Sequence, residues 1–217
     1  MIKCFITILF LLSFAQPDSI SATTVVGKVL RLAPRTKAAQ INRYSGRESV
    51  ASKSTDNEAP PPMAIVYLVG SAKGSYAVPT EHPKMVQQGQ AFVPELLPIL
   101  VGTTVDFPNL DPVFHNVFSY SKAKKFDLGR YPKGHSKSVT FDSPGLIKVF
   151  CEIHSAMRAH ILVLEQPYFT VSDTEGNYRI ENVPPGEYTL KVWQEPLPEI
   201  ELKVTIPQKE SVTVDVN

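Results

Sequence analysis

The chain has 217 residues, of which 43% are hydrophobic, and a formal net charge of +1. This length suits one large domain or two small ones, and the composition excludes a wholly disordered chain. A charge so close to neutral gives no field that would attract a polyanion, so we expect no nucleic-acid partner.

The first 22 residues have the pattern of a secretory signal peptide. Lys3 provides a positive start, an apolar run extends from Cys4 to Ala15, and small residues lead to Ala22. The run is too short to span a bilayer, so we expect a cleaved signal and no transmembrane segment in the mature protein. A buried N-terminal helix is the alternative. The signal predicts a periplasmic or secreted protein, and the cleavage site stays open.

Residues 23–82 contain two predicted strands and a long loop. The segments 23–32 and 63–70 are short and rich in β-branched and aromatic residues, which favours strands. Between them, residues 33–62 are polar, rich in Ser, Lys and Arg, and without an apolar period. This composition predicts a flexible loop.

The rest of the chain predicts further short strands and few helices. Residues 91–120 give two or three strands, because Pro94, Pro98 and Pro108 argue against helix. Residues 136–151 predict a strand, a Pro-Gly turn and a second strand, and residues 160–165 predict another. After Pro167, alternating runs are separated by Asp-Thr-Glu-Gly-Asn and Pro-Pro-Gly turns. Short strands at regular intervals predict an all-β sandwich architecture.

One short segment concentrates side chains that bind metals or act as nucleophiles. Alternation along the preceding strand places Cys151 at its last inward position, behind Ile147 and Val149. His154 follows within a tight loop, and Met157 lies three residues further on. Because Cys151 is the only cysteine after the signal, an exported chain cannot form an internal disulfide.

His115 reaches the same end of the predicted sandwich from another strand, on which Val113 and Val117 share its face. One thiolate, two imidazoles and a thioether can then converge, and this is the ligand set of a blue-copper centre. The thiolate suits Cu(I) and the imidazoles suit Cu(II). A rigid β framework can hold one geometry for both oxidation states, and electron transfer needs this. A shielded core cysteine without metal is the simpler alternative.

Two stretches resemble the plastocyanin branch of the cupredoxins, namely "QAFVPELLPILVGTTVDFPNLDPVFHNVFS" and "KGHSKSVTFDSPGLIKVFCEIHSAM". They contain, in order, a Phe-x-Pro lead-in, a Gly-x-x-Val-x-Phe-x-Asn strand, a His-Asn-Val strand and a Phe-Cys-x-x-His loop. The resemblance implies a Greek-key cupredoxin sandwich over residues 83–166. It also implies that His115, Cys151 and His154 are the equatorial copper ligands.

The axial position departs from the plastocyanin pattern, in which four residues usually separate the last histidine from the methionine. Here two residues separate His154 from Met157, an ending that resembles the binuclear copper domain of cytochrome oxidase. That centre needs a second cysteine in the loop, which this loop lacks, so we expect one copper ion. We expect Met157 as the axial ligand, with His160 as the alternative. Asn116 resembles the cupredoxin residue that ties the two ligand loops together.

Residues 167–217 resemble the carboxypeptidase regulatory-like, transthyretin-type β-sandwich, through Asp-x-x-Gly-x-Tyr and Pro-Pro-Gly-x-Tyr-x-Leu. The first strands of that sandwich are found only near the other end of the chain, in "VVGKVLRL" and "AIVYLVG". We therefore expect the cupredoxin block to be inserted in a sandwich built from both termini. Two alternatives are early strands that pad the cupredoxin, and an independent C-terminal sandwich around Trp193.

The predicted function is that of an exported mononuclear copper protein that transfers single electrons to or from a redox protein partner. A periplasmic copper carrier or chaperone is the nearer alternative, and a copper-free module that binds a partner or a glycan is another. We do not expect an enzyme with Cys151 as nucleophile, His154 as base and Asp111 as orienter, because a thiol protease pair normally comes from separate elements. The basic segment 121–137 would be able to steer an acidic redox partner, and an ordinary solvated loop is the alternative.

Overall fold

The computed structural model describes residues 22–30, 63–70 and 76–217. Residues 1–21 of the predicted signal peptide and the predicted loop at 33–62 lie outside the described residues. The described ranges contain sixteen β-strands and no helix, so the all-β prediction is confirmed. Accordingly, these ranges contain no helix that is long and apolar enough to span a membrane.

The strands are short and follow one another closely. They are β1 (Thr23–Lys28), β2 (Ile65–Gly70), β3 (Val86–Gln88), β4 (Ala91–Val93), β5 (Leu96–Leu100), β6 (Thr104–Pro108), β7 (His115–Ser121), β8 (Lys124–Tyr131), β9 (Ser136–Thr140), β10 (Gly145–Phe150), β11 (Arg158–Leu164), β12 (Phe169–Val171), β13 (Asn177–Val183), β14 (Gly186–Trp193), β15 (Ile200–Ile206) and β16 (Ser211–Thr213).

The middle of the chain forms one sandwich. Its larger sheet has the order β5-β11-β10-β7-β8, and the pairs β3-β4 and β6-β9 complete it. Alternate residues of β6, β10 and β11 meet in a single apolar core, which includes the fully buried rings of Phe107 and Phe141. Each such ring contributes about 1.5–3 kcal/mol through removal of apolar area from water.

The segment from residue 91 to residue 120 contains four strands, β4 to β7, rather than the two or three predicted. The prolines fall where strands tolerate them. Pro98 lies in β5 at the edge of its sheet, and Pro108 is the last residue of β6. A proline at an edge or an end removes no ladder hydrogen bond, so the strands persist.

Strands from the two ends of the chain share sheets. β1 lies between β13 and β16, while β2 lies between β12 and β14, with β15 at the edge. Their apolar faces form a second core, with Val25, Leu68 and Leu190 among its members. This is the pairing that insertion of the middle block into a sandwich of both termini would produce. Where the domain boundaries fall stays a prediction.

β11 is buried on both faces and joins the two sandwiches. Ile161 and Val163 point into the core of the middle sandwich. Leu162 and Leu164 point the other way, into a third apolar cluster that β2 shares. Because side chains alternate along a strand, His160 must lie on the face of Leu162 and Leu164.

Candidate metal centre

Cys151 directly follows β10 and continues its inward face. Ile147 and Val149 are fully buried and Cys151 is 4% exposed, as the predicted alternation requires. The loop after it is closed by backbone hydrogen bonds. The Met157 N–H donates to the His154 carbonyl at 2.9 Å, and the Cys151 N–H donates to the Met157 carbonyl at 3.3 Å. This closed loop brings His154 Nδ1 to 3.9 Å from the thiol sulfur.

His115 is the first residue of β7 and is fully buried, as is Val117 on the same face. The prediction that Val113 shares this face is wrong, since Val113 is 39% exposed. It lies in a bend before the strand begins, where the period of two does not apply. The β7 register places His115 opposite Tyr131 of β8.

Three donor atoms from these residues converge on one point. The Nδ1 atoms of His115 and His154 are 3.0 Å apart, and Cys151 Sγ lies 3.9 Å from each of them. A point in the plane of these three atoms lies about 2.1 Å from each of them. This distance is close to the ~2.0–2.3 Å bonds that histidine nitrogen and cysteine sulfur make to zinc. The residues present therefore fit a metal ion. Among the described residues, this is the one such group of three or more His, Cys, Asp or Glu side chains.

Met157 and His160, the two candidates for the axial position, lie on different sides of the strand. Met157 is 1% exposed and belongs to the same core cluster as Cys151. His160 is 4% exposed and packs on Trp193, with ring centroids 4.9 Å apart. Its Nε2 lies 3.0 Å from a carboxylate oxygen of Glu195. His160 is therefore engaged at the junction of the two sandwiches.

Asp111 contacts His115, a role that sequence reasoning missed. Its Oδ2 lies 2.8 Å from His115 Nε2, and the residue is 7% exposed. Burial raises the pKa of this carboxyl, but hydrogen bonds from Gln90 N–H, the His115 ring and Gly89 N–H together hold the pKa below its usual value. The thiol-enzyme hypothesis used Asp111 as an orienter for a His154 base. The structure instead places Asp111 on His115.

Asn116 links the two segments that carry the donor atoms. Its side-chain Oδ1 accepts a hydrogen bond of 2.6 Å from the backbone N–H of Glu152, the residue after Cys151. The Asn116 side chain is 2% exposed. The contact that the cupredoxin resemblance implied for Asn116 is present.

His154 is the most exposed of the three donor residues and is half-buried. Large apolar side chains near it in sequence, or just before His115, are exposed, namely Leu110, Val113, Phe114 and Ile153.

In the basic segment 121–137, Lys124 pairs with Asp142 and Arg130 pairs with Glu152. These pairs offset part of the positive charge that the sequence suggested for this rim.

Comparison with known proteins adds only distant similarities. No protein-family model and no curated protein matches the sequence. Among solved structures, a copper-containing nitrite reductase from Thermus scotoductus SA-01 is 28% identical, with a TM-score of 0.39, over 44% of this chain and 25% of its own. An amicyanin from Paracoccus versutus is 22% identical, with a TM-score of 0.36, over 40% of this chain and 85% of its own. A purple cupredoxin from Nitrosopumilus maritimus is 24% identical, with a TM-score of 0.35, over 38% of this chain and 99% of its own.

The match spans a quarter of the nitrite reductase chain, and all three TM-scores are low. These similarities therefore assign no function, and the inferences below depend on the side chains of this chain. The carboxypeptidase regulatory-like resemblance of residues 167–217 stays a prediction.

Proposed function

We propose that this protein binds one copper ion through His115, Cys151 and His154 and transfers single electrons. The observation that supports this most strongly is the convergence of two imidazole nitrogens and one thiol sulfur at spacings of 3.0 and 3.9 Å. A trigonal set of two histidines and one cysteine, with a weak thioether as fourth ligand, is characteristic of electron-transfer copper sites. Met157 is the residue proposed for that fourth position.

Copper bound there would supply a one-electron couple, since the thiolate favours Cu(I) and the imidazoles favour Cu(II). The chain supplies the enclosure and the orientation. His115 and Cys151 are buried, which keeps water from one side of the site. The Asn116 contact fixes the β7 segment against the cysteine loop. His154 is the most exposed of the three ligand residues, so a partner would reach the site most easily there.

A copper titration of the mature protein with an optical spectrum tests this proposal. We expect one copper per chain and an intense thiolate-to-copper band in the visible range. The matched control is Cys151→Ala, which should lose both, while zinc binding to the wild-type protein should give no visible band. Substoichiometric copper, or full copper without the band, would contradict the proposed site.

Electron transfer and copper carriage differ in how firmly the ion is held. For electron transfer, we expect copper to remain bound on dialysis and electron self-exchange between oxidised and reduced protein to be rapid. A carrier or chaperone would give up copper to a competing thiol chelator within minutes and show slow self-exchange. A copper-free binding module would show neither behaviour.

We further propose that the protein is exported and acts with an acidic redox protein. The support is the signal-like N-terminus and the basic segment 121–137 beside the site. Because two of its cations pair with Asp142 and Glu152, we expect a modest effect of salt. The rate of reaction with an acidic electron acceptor should fall as ionic strength rises, whereas a rate that is independent of salt would remove the steering role.

One contact favours thiol catalysis as a second candidate. Cys151 Sγ lies 3.9 Å from His115 Nδ1, and Asp111 contacts the other ring nitrogen, which is the order of nucleophile, base and orienting acid. Against this, Cys151 is 4% exposed, so a substrate has little access to the sulfur. We therefore propose that Cys151 is not a catalytic nucleophile and that the protein is not an enzyme of this kind. Rapid acylation of Cys151 by an activated ester in metal-free protein would favour catalysis instead.

A further inference from the structure

The Asp111 carboxylate is held in a fixed position next to the proposed copper site. Its Oδ1 accepts a hydrogen bond of 2.7 Å from the Gly89 N–H, and its Oδ2 accepts one of 2.8 Å from the Gln90 N–H. Its own N–H donates to Asn109 Oδ1 at 2.9 Å. These contacts leave the carboxylate little freedom to rotate.

The two amide donors come from the tight turn between β3 and β4. Gly89 and Gln90 both have positive φ, 63° and 54°, which is the backbone of a two-residue hairpin turn. Glycine adopts this conformation freely, whereas Gln90 does so at some cost. The turn directs two successive N–H groups at one carboxylate, so Asp111 joins this hairpin to the segment that leads into β7.

The remaining contact of Asp111 is to His115. Because an ionised carboxylate can only accept hydrogen bonds, the proton between Oδ2 and Nε2 belongs to the His115 ring. A neutral imidazole with its proton on Nε2 has its lone pair on Nδ1. Nδ1 is the atom that lies 3.0 Å from His154 Nδ1 and 3.9 Å from Cys151 Sγ.

We propose that Asp111 is a positioning residue that fixes His115 in its ligating tautomer and sets the reduction potential of the site through its buried negative charge. This inference rests on the proposed function, since it presumes copper at His115. A carboxylate behind a metal-bound imidazole makes the nitrogen a stronger donor. A nearby negative charge also stabilises Cu(II) more than Cu(I), because Cu(II) carries the larger positive charge.

The Asp111→Asn variant removes the charge and retains the shape of the side chain. We expect Cu(II) affinity to fall roughly 10–100-fold, the usual effect of losing such a partner, and Cu(I) affinity to fall less. If the two losses differ tenfold, the reduction potential rises by about 59 mV for a one-electron couple.

Glu152→Gln is the matched control, because it removes the same charge from the residue next to Cys151. The Glu152 side chain is 62% exposed, so solvent screens it. We expect its potential to change much less than that of Asp111→Asn. Equal shifts in the two variants would mean that only net charge matters and would overturn the proposal.

A second measurement needs no redox activity, and its wild-type arm needs no variant. In the Cu(I)-loaded wild-type protein, nitrogen-15 NMR should show a proton on His115 Nε2 that exchanges slowly with solvent. In Asp111→Asn the same proton should exchange faster. A His115 ring with its proton on Nδ1, or with a freely exchanging Nε2 proton in the wild type, would overturn the proposal even if the variant fails to fold.

The outcomes separate the two proposals. If wild-type protein binds copper without the thiolate band, the proposed function fails. If the band is present in both proteins and the potential and the Nε2–H exchange are the same in both, the copper site stands and the role of Asp111 is refuted.

Discussion

Replacing Cys151 with alanine should remove the stabilisation that copper gives, with a smaller effect on the metal-free protein. The sulfur is buried, so its loss from the core costs on the order of 1 kcal/mol, as for other deletions of one heavy atom. In the wild type, copper at one hundred times its Kd adds about 2.7 kcal/mol. In a chain of this size, each kcal/mol of stability shifts Tm by about 2–4 °C. Copper should therefore raise the Tm of the wild-type protein by about 5–11 °C.

Thermal unfolding followed by circular dichroism, with copper or with a chelator, measures this difference. The matched control is Val149→Ala, which removes a buried side chain from the same face of the same strand. Val149→Ala should lower Tm in both conditions and keep the rise with copper. Cys151→Ala should lose the rise. A full copper-dependent rise in Cys151→Ala would refute the assignment of the thiol as a ligand, because the ion would then be held elsewhere.

Three further changes test single contacts. Met157→Leu should keep the copper and its colour but raise the potential in a redox titration, because loss of the axial thioether favours Cu(I); an unchanged potential would argue against Met157 as the axial ligand. Asn116→Ala leaves a backbone N–H of the cysteine loop without its acceptor and should cost about 1–3 kcal/mol in urea unfolding; no loss would show that water replaces it. Burial raises the pKa of Glu195, but the contacts with Lys148 and His160 hold the pKa below its usual value. These contacts therefore stabilise the folded protein above about pH 4.3, and the stabilisation is lost as the pH falls below that value. The free energy of unfolding measured in urea should therefore fall more steeply with pH below pH ~4 in the wild type than in Glu195→Gln. An equal dependence on pH in the two proteins would show that Glu195 does not stabilise the fold in this way.

The strands and the three donor residues were predictable because their patterns are local. Alternation of apolar residues up to Cys151 places the thiol inward, and the same rule applies to Val117 behind His115. The pairing of β1 and β2 with the C-terminal strands was expected from incomplete motifs at each end. Neighbouring residues carry the information for the strands and for the inward thiol, whereas the pairing of the two ends rests on parts of one motif in distant segments.

The errors arise where the pattern ends or where distant segments meet. The sequence pattern places Val113 in the strand, but the strand begins at His115. The alternation of side chains along a strand therefore does not apply to Val113. The contact between Asp111 and His115 depends on the approach of the β3–β4 turn, which no local pattern reveals. An acidic residue four positions before a predicted ligand was the only signal for it.

The second sandwich has a consequence for the proposed copper site, through β11. Phe150 of β10 pairs with Arg158 of β11, so the cysteine loop is closed at its base by the sheet. β11 is then packed on both faces, with His160 against Trp193 on the far side. A strand held in this way cannot shift without disturbing two cores. Because the loop ends on this strand, we expect the spacing of Cys151 and His154 to change little between the two oxidation states of the proposed copper ion, which rapid electron exchange would require.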